Sequence, residues 1–121
     1  MLDINSYPKI FVGKYTIYVA STAEQKKQGL QFLARLPDKH LMLFQNTSSG
    51  VFFHTINCAF PMDILPLNSQ NKVLDMWSVG TNMKLIGPTP QKTTSVIEGP
   101  FGWAKQNQLQ IGSDLREALL S

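Results

Sequence analysis

Short apolar stretches separated by turn-forming residues run along most of this chain. Ile10–Val12 and Tyr15–Val19 are rich in β-branched and aromatic residues, and the two-residue loop between them begins with Gly13. A glycine at the first position of such a loop suits a type II′ turn, because that position needs a positive φ. The pattern therefore predicts a β-hairpin at the start of the domain.

A short helix is predicted after this hairpin. Ser21 with Glu24, and Thr22 with Gln25, both have the capping-box spacing, in which side chains satisfy free amides at the helix start. Gly29 suits the left-handed position that ends a helix, so the predicted helix has about two turns. A helix of this length is too short to persist alone and must be held by its neighbours.

The remaining apolar stretches predict further strands, each bounded by turn residues. The expected strands are Leu41–Phe44, Val51–Asn57, Met62–Leu67, Val73–Val79, Ser95–Glu98 and Leu109–Ile111, with helical turns at Trp103–Gln106 and Leu115–Leu120. Many short strands with frequent turns are typical of a mainly β (α+β) fold. We expect a compact antiparallel β-sandwich or partial barrel with one or two short helices.

The composition of the chain agrees with this fold class. A length of 121 residues fits one domain, and we expect residues 1–121 to form a single domain with its own core. Charged residues make up only 16% of the chain, below the usual value of about 25%. Asn, Gln, Ser and Thr take their place, and these residues favour turns and caps over long surface helices.

The net charge of +3 raises the question of nucleic-acid binding. The longest basic run is only Lys26-Lys27, whereas nucleic-acid sites usually cluster basic residues with aromatic residues between them. We therefore interpret the charge as ordinary surface charge, and a non-specific nucleic-acid binder is the weakest of the functional alternatives.

Known targeting and ligand motifs are missing from the sequence. No signal peptide or membrane-length apolar run is visible, which predicts a cytoplasmic protein without membrane contact. The single cysteine, Cys58, excludes an internal disulfide. One cysteine and two separated histidines form no recognisable metal site, and nucleotide and hydrolase motifs are absent, so we predict no metal and no cofactor.

The densest apolar run, Val51–Leu67, contains the side chains most suited to catalysis or ligand binding. His54 could serve as a base, a proton shuttle or a ligand, or be a half-buried ring bonded to a backbone carbonyl. Asp63 is a carboxylate within an apolar strand, which is costly unless the group is paired or hydrogen-bonded. It is either a structural pin for a neighbouring loop or a residue that faces a ligand. We interpret Cys58 as a small packed hydrophobe.

The same stretch resembles a known family. Five residues match the pattern H-T-x-x-M-x-F-P-I-D, found in one branch of the domain-of-unknown-function-192 family of small bacterial and archaeal proteins. The matching residues are His54, Thr55, Phe60, Pro61 and Asp63, while Cys58 replaces the methionine and Met62 the isoleucine. Looser similarities, at Val19-Ala20, Thr22, Gly29-Leu30, Met42–Phe44, Glu98, Gly112 and Asp114, extend the resemblance over about residues 15–115. The resemblance implies a compact, mostly β domain, and no reaction comes with it.

Several functions stay open on the sequence alone. The first hypothesis is a small binding or accessory domain, with an unknown small molecule or protein bound on the concave face of its sheet. The second is a small enzyme that uses His54 and Asp63 as acid and base, and whether the protein is an enzyme is left open. If the segment between these residues turns tightly, their strands pair and both side chains line one cavity. Thr55 and Asn57 are then further candidates for binding a ligand.

Overall fold

The computed structural model describes all residues, Met1–Ser121. It contains six β-strands and three short α-helices, with a 3₁₀ turn at Ile4–Ser6 and irregular segments between the elements. The strands are β1 (Lys9–Val12), β2 (Tyr15–Ala20), β3 (His40–Gln45), β4 (Met62–Leu67), β5 (Trp77–Val79) and β6 (Ser95–Pro100), and the helices are α1 (Ala23–Gln28), α2 (Trp103–Gln106) and α3 (Leu115–Leu120). None of these helices has the length and apolar character needed to cross a membrane. The mainly β class predicted from the sequence is confirmed.

The six strands form one mixed sheet in the order β1-β2-β3-β6-β4-β5, with β1 and β5 at its open edges. Only β2 and β3 run parallel, and every other pair of neighbours is antiparallel. Parallel neighbours need a crossover connection, which the segment containing α1 supplies between β2 and β3. The sheet does not close into a barrel, and β3, β6 and β4 form its centre.

The first hairpin and the first helix follow the sequence-based prediction. Gly13 turns the hairpin with a φ of 58°. The Gln25 amide donates to the Thr22 hydroxyl at 3.1 Å, and the Thr22 amide donates back to the Gln25 side chain at 3.2 Å. Gly29 ends α1 with a positive φ of 51°, as predicted, but its ψ of −128° lies outside the left-handed helical region. That combination of angles is open almost only to glycine.

Two of the predicted strands are not formed. Val51–Asn57 is irregular and makes only an isolated bridge between Phe53 and Ile86. Leu109–Ile111 is also irregular, and the strand expected over residues 73–79 shrinks to the three residues of β5. Leu109 instead packs into the core beside the sheet, and Phe53 packs against the core on the opposite face. Apolar residues that cover a sheet and apolar residues that pair within it have the same sequence pattern.

Both faces of the sheet are buried, because side chains alternate along each strand and each face has its own cover. The helical face is the side covered by α2 and α3, and its sheet residues include Ile17, Leu41, Leu65 and Ile97. The loop face is the side covered by irregular segments, and its sheet residues include Tyr18, Met42, Phe44, Ile64 and Val96. The covering residues on the loop face are Tyr7, Leu30, Leu36, Cys58 and Ile86.

Candidate functional site

Two acidic side chains are buried in the centre of the sheet. Asp63 of β4 is 3% exposed, and Glu98 of β6 is 4% exposed. In the β4–β6 ladder Asp63 lies opposite Gly99, and Glu98 lies opposite Ile64. Residues opposite each other share a face, so Asp63 points to the helical face and Glu98 to the loop face.

The carboxylate of Asp63 is fully used by neighbouring groups. One oxygen accepts a hydrogen bond from the Ser78 hydroxyl at 2.7 Å. The other accepts the backbone amides of Gly102 at 2.9 Å and Ala104 at 3.2 Å. The indole of Trp103 also donates to the backbone carbonyl of Asp63 at 3.3 Å. These bonds tie β4 to β5 and to the start of α2, and they favour the structural pin among the interpretations left open by the sequence.

The carboxyl group of Glu98, in contrast, has no hydrogen-bond or ion-pair partner in the protein. Its ladder neighbours on the loop face are Met42 and Ile64, both fully buried. Every fully enclosed side-chain polar atom of the chain has a partner, so the oxygens of Glu98 must open onto free space. Burial raises the pKa of Glu98 from 4.5 to about 8, and the group is therefore mostly protonated at pH 7.

The free space above Glu98 is a cavity of about 310 Å³ on the loop face. Its apolar lining residues are Leu30, Phe44, Val51, Phe52, Phe53 and Cys58. The rings of Phe44 and Phe53 pack edge to face, with their centroids 5.4 Å apart. A concave site with an apolar wall and a few polar groups is the usual form of a small-molecule site, and this volume lies at the lower end of the usual range.

Polar residues from α1 and the adjacent loops form the rim of the cavity. They are Lys26, Lys27, Gln28, Gln31, Asn46, Ser48 and His54. The Lys26 ammonium donates to the backbone carbonyls of Gln45 at 2.9 Å and Asn46 at 3.3 Å, which fastens α1 to the loop after β3. Lys27 is exposed and its ammonium has no partner in the chain. The rim thus carries two positive charges, of which only the Lys27 ammonium makes no hydrogen bond within the chain, and Glu98 is the only acidic residue of the lining.

His54 and Asp63 do not meet in the structure. His54 lines the cavity on the loop face, whereas Asp63 lies beneath the start of α2 on the helical face. The structure therefore does not place His54 and Asp63 in one cavity, as the sequence led us to expect. The strand expected to carry His54 is absent, and the register of β4 directs Asp63 to the other face of the sheet. The exposed ring of His54 accepts the amide of Ile56 at its Nδ1 atom, at 3.2 Å, which leaves Nε2 free.

The other two candidates from the same segment do not line the cavity. Thr55 is completely buried, and its hydroxyl donates to the carbonyl of Gly80 at 2.8 Å and accepts the amide of Met83 at 2.9 Å. These bonds hold the loop before Ile86 against the segment. Asn57 has a positive φ of 62° and an exposed side chain, so its main contribution is a turn.

Cys58 is a wall of the cavity rather than a reactive group. Burial, followed by the charge of nearby Glu98, raises the pKa of the Cys58 thiol to about 11. The thiol therefore stays protonated at pH 7 and is a poor nucleophile. No three His, Cys, Asp or Glu side chains lie together in a way that could hold a metal ion.

Glu98 is the site residue that the sequence reasoning did not select. It stood at the end of a predicted strand, where an acidic residue looks like an exposed terminus. The structure extends β6 to Pro100, which makes Glu98 an interior residue of a central strand. Two signals were available. Glu98 is among the residues that resemble the family, and it lies two positions from the apolar Val96, which places both on one face of the strand.

Solved structures with the same fold include the following two proteins. A candidate transcription regulator from Sinorhizobium meliloti 1021 has a TM-score of 0.74 at 22% identity, with 88% of this chain and 92% of that chain covered. A protein of unknown function from Novosphingobium aromaticivorans DSM 12444 has a TM-score of 0.73 at 22% identity, with coverages of 88% and 81%. Similarity at this level of identity concerns the fold alone.

Sequence comparison places the chain more firmly. No curated protein matches it. Residues 9–117 match the family DUF192, described as "Uncharacterized ACR". The match spans nearly the whole domain, including both buried carboxylates and the cavity lining. The chain therefore belongs to the domain-of-unknown-function-192 family.

Proposed function

We propose that this chain is a small binding domain that holds a small-molecule ligand in the cavity above Glu98. One observation supports the proposal above all others: Glu98 is 4% exposed, and its carboxyl group lacks a partner and opens onto a cavity of about 310 Å³. Leaving a buried polar group unpaired costs roughly 1–3 kcal/mol. A ligand that supplies a hydrogen-bond donor offsets this cost, and a core without a ligand gains nothing from it.

The shape of the site favours a small molecule over a protein partner. The carboxyl group of Glu98 is buried between apolar neighbours of the sheet, whereas most of the other polar lining residues belong to the rim. The buried Thr47 is the exception, and its hydroxyl donates to the carbonyl of Phe44. A compound that enters the cavity reaches both sets of groups. A flat protein surface that covers the rim leaves Glu98 unpaired.

The two other functions considered from the sequence have less support. An enzyme with His54 and Asp63 as acid and base needs the two side chains in one site, and they lie on opposite faces of the sheet. Nucleic-acid binding needs a basic cluster, and Lys26 already binds backbone carbonyls. The regulator description belongs to the S. meliloti protein, which shares 22% identity with this chain.

A fragment screen followed by amide NMR tests the proposal. We expect small polar fragments to shift the backbone amides of Phe44, Phe53, Cys58 and Glu98 at millimolar concentration. Glu98→Gln should weaken binding at least tenfold, whereas Glu117→Gln, which changes an exposed glutamate of α3, should leave it unchanged. If a broad fragment library leaves the four amides unshifted, the proposal is wrong.

A further inference from the structure

We infer that the ligand of this cavity is a small zwitterion, with an ammonium group directed at Glu98 and an anionic group at Lys27 on the rim. This inference rests on the binding function proposed above and adds the chemical class of the ligand. The two ionisable groups of the site differ in exposure, since Glu98 is buried and Lys27 is exposed, and each lacks a partner in the protein. Lys27 is positively charged, and Glu98 becomes negatively charged when it loses its proton.

The inner end of the cavity suits an ammonium ion. Glu98 is the only acidic group of the lining, and the side chains beside it on the sheet, Met42 and Ile64, offer no hydrogen-bond donor. A primary ammonium supplies three donors and a full charge to such a carboxylate. The aromatic rings of Phe44 and Phe53 in the wall add a surface that attracts cations.

The outer end of the cavity suits an anion. Lys26 and Lys27 both line the rim, and no acidic side chain lies there. Lys26 remains charged, but its ammonium is fixed by the carbonyls of Gln45 and Asn46, so the Lys27 ammonium is the one free to move to an anion. A ligand with only a positive charge has to pass this rim against repulsion. A ligand with an anionic tail gains an ion pair at the rim when its ammonium reaches Glu98.

Binding of the ammonium group is coupled to release of a proton. Glu98 carries a proton at pH 7, since burial raises its pKa to about 8. The bound cation favours the carboxylate, so the proton of Glu98 passes to solvent. The titratable groups that line the same cavity are Cys58 and His54 in the irregular segment and Lys26 and Lys27 on α1. Tyr18 on the same face of the sheet and the covering Tyr7 are also titratable, but neither lines the cavity. Affinity should rise about tenfold per pH unit below pH 8 and then level.

Calorimetry with four matched probes tests the inference. The probes are 5-aminopentanoate, pentylammonium, pentanoate and pentanol, which carry both charges, one charge of either sign, or none. We expect 5-aminopentanoate to bind at least tenfold more tightly than each of the others, and to release close to one proton at pH 7. Equal binding of pentanol or pentanoate, or an affinity for 5-aminopentanoate that does not change from pH 6 to pH 8, would overturn the inference.

Two variants test which side chain of the protein contacts each end of the ligand. Glu98→Gln should remove the advantage of 5-aminopentanoate over pentanoate, and Lys27→Gln should remove its advantage over pentylammonium. Lys105→Gln, an exposed lysine of α2 on the other side of the sheet, serves as the control and should change neither ratio. Retention of both ratios in the two cavity variants also contradicts the inference.

The results separate this inference from the function on which it rests. If neutral or anionic fragments shift the cavity amides while 5-aminopentanoate and pentylammonium do not, the inference of a zwitterionic ligand is wrong and the proposed binding function is supported. If no compound of any charge shifts these amides, both are wrong.

Discussion

Asp63 and Glu98 are two carboxylic acids on adjacent strands, with almost equal burial, on opposite faces of one sheet. The carboxylate of Asp63 accepts three hydrogen bonds from the chain, whereas the carboxyl group of Glu98 accepts none. Burial therefore does not separate a structural carboxylate from a site carboxylate in this protein, but the number of internal partners does. The chain supplies hydrogen-bond donors to the carboxylate of Asp63 and supplies none to the carboxyl group of Glu98.

The covers of the two faces explain the difference. On the helical face, the start of α2 lies over the sheet and presents free amides to Asp63. Gly99 permits this approach, because a Cβ atom there would lie 2.6 Å from Cδ1 of Trp103. On the loop face, the irregular segment that carries Phe53 and Cys58 covers the sheet without supplying a donor to Glu98, and the cavity remains.

Removing the partnered carboxylate should have the largest effect on stability. Asp63→Ala leaves the amides of Gly102 and Ala104 and the hydroxyl of Ser78 without their acceptor, so we expect a loss of about 4 kcal/mol in the free energy of unfolding. Urea denaturation at pH 7 measures it. Ser78→Ala, which removes one of the three bonds, should cost about 1 kcal/mol. A loss below about 1 kcal/mol for Asp63→Ala would contradict the structural role of Asp63.

The unpartnered carboxylate should make the fold less stable as the pH rises. The pKa of Glu98 is about 8 in the folded protein and 4.5 as a free group, so between these values the unfolded chain loses its proton while the folded protein keeps it. Stability should fall through this window, by about 3 kcal/mol from pH 5 to pH 8, and then level. Urea denaturation across this range should show the slope in the wild type and in Glu117→Gln. The slope should be absent in Glu98→Gln, and its persistence there would assign it to another group.

A substitution at the end of α1 tests how the cavity wall is held. Gly29→Val forces a β-branched residue into a positive φ, and its Cβ atom would lie 3.1 Å from Cζ of Phe44. We expect a loss of about 2 kcal/mol in thermal or urea unfolding, together with shifted amide signals for the cavity. Gly50→Val is the control, since its φ of 77° is also positive but its Cβ position is open. Equal losses at both positions would show that backbone strain acts without the contact to Phe44.

An apolar replacement of Glu98 should give the smallest effect, with the opposite sign. Glu98→Met removes an unpaired carboxyl between Met42 and Ile64, so we expect a gain of about 1 kcal/mol at pH 7 and loss of ligand binding. Urea denaturation and the fragment screen measure the two results. A destabilised variant would indicate that Glu98 supports the fold through a contact to the protein.

Local signals made much of the fold predictable. The hairpin depends on Gly13, the cap of α1 depends on Thr22 and Gln25, and β4 depends on a bounded apolar run. Each of these elements can therefore be predicted from a few consecutive residues. The segment Val51–Asn57 was predicted wrongly because its apolar residues cover the sheet instead of pairing within it. Nothing in its alternation distinguishes these cases.

The site was less predictable for a different reason. The apolar surroundings of Asp63 showed from the sequence that it must be paired, but two of its three partners lie about 40 positions away, at the start of α2, and the third is Ser78 on β5. The role proposed for Glu98 depends on the absence of hydrogen-bond donors around its carboxyl group. That absence is determined by the pairing of β6 with β3 and β4 and by the path of the covering segments. Such long-range placement has no local signature.

Carbon-detected NMR of the Glu98 side-chain carboxyl, titrated from pH 4 to pH 10, tests the central contrast most directly. A carboxyl with no partner in the protein should titrate with a midpoint near 8 in the free protein, and the midpoint should fall when 5-aminopentanoate is bound. A midpoint near 4.5 in the free protein would mean that water or a protein group already satisfies Glu98, and would contradict the account.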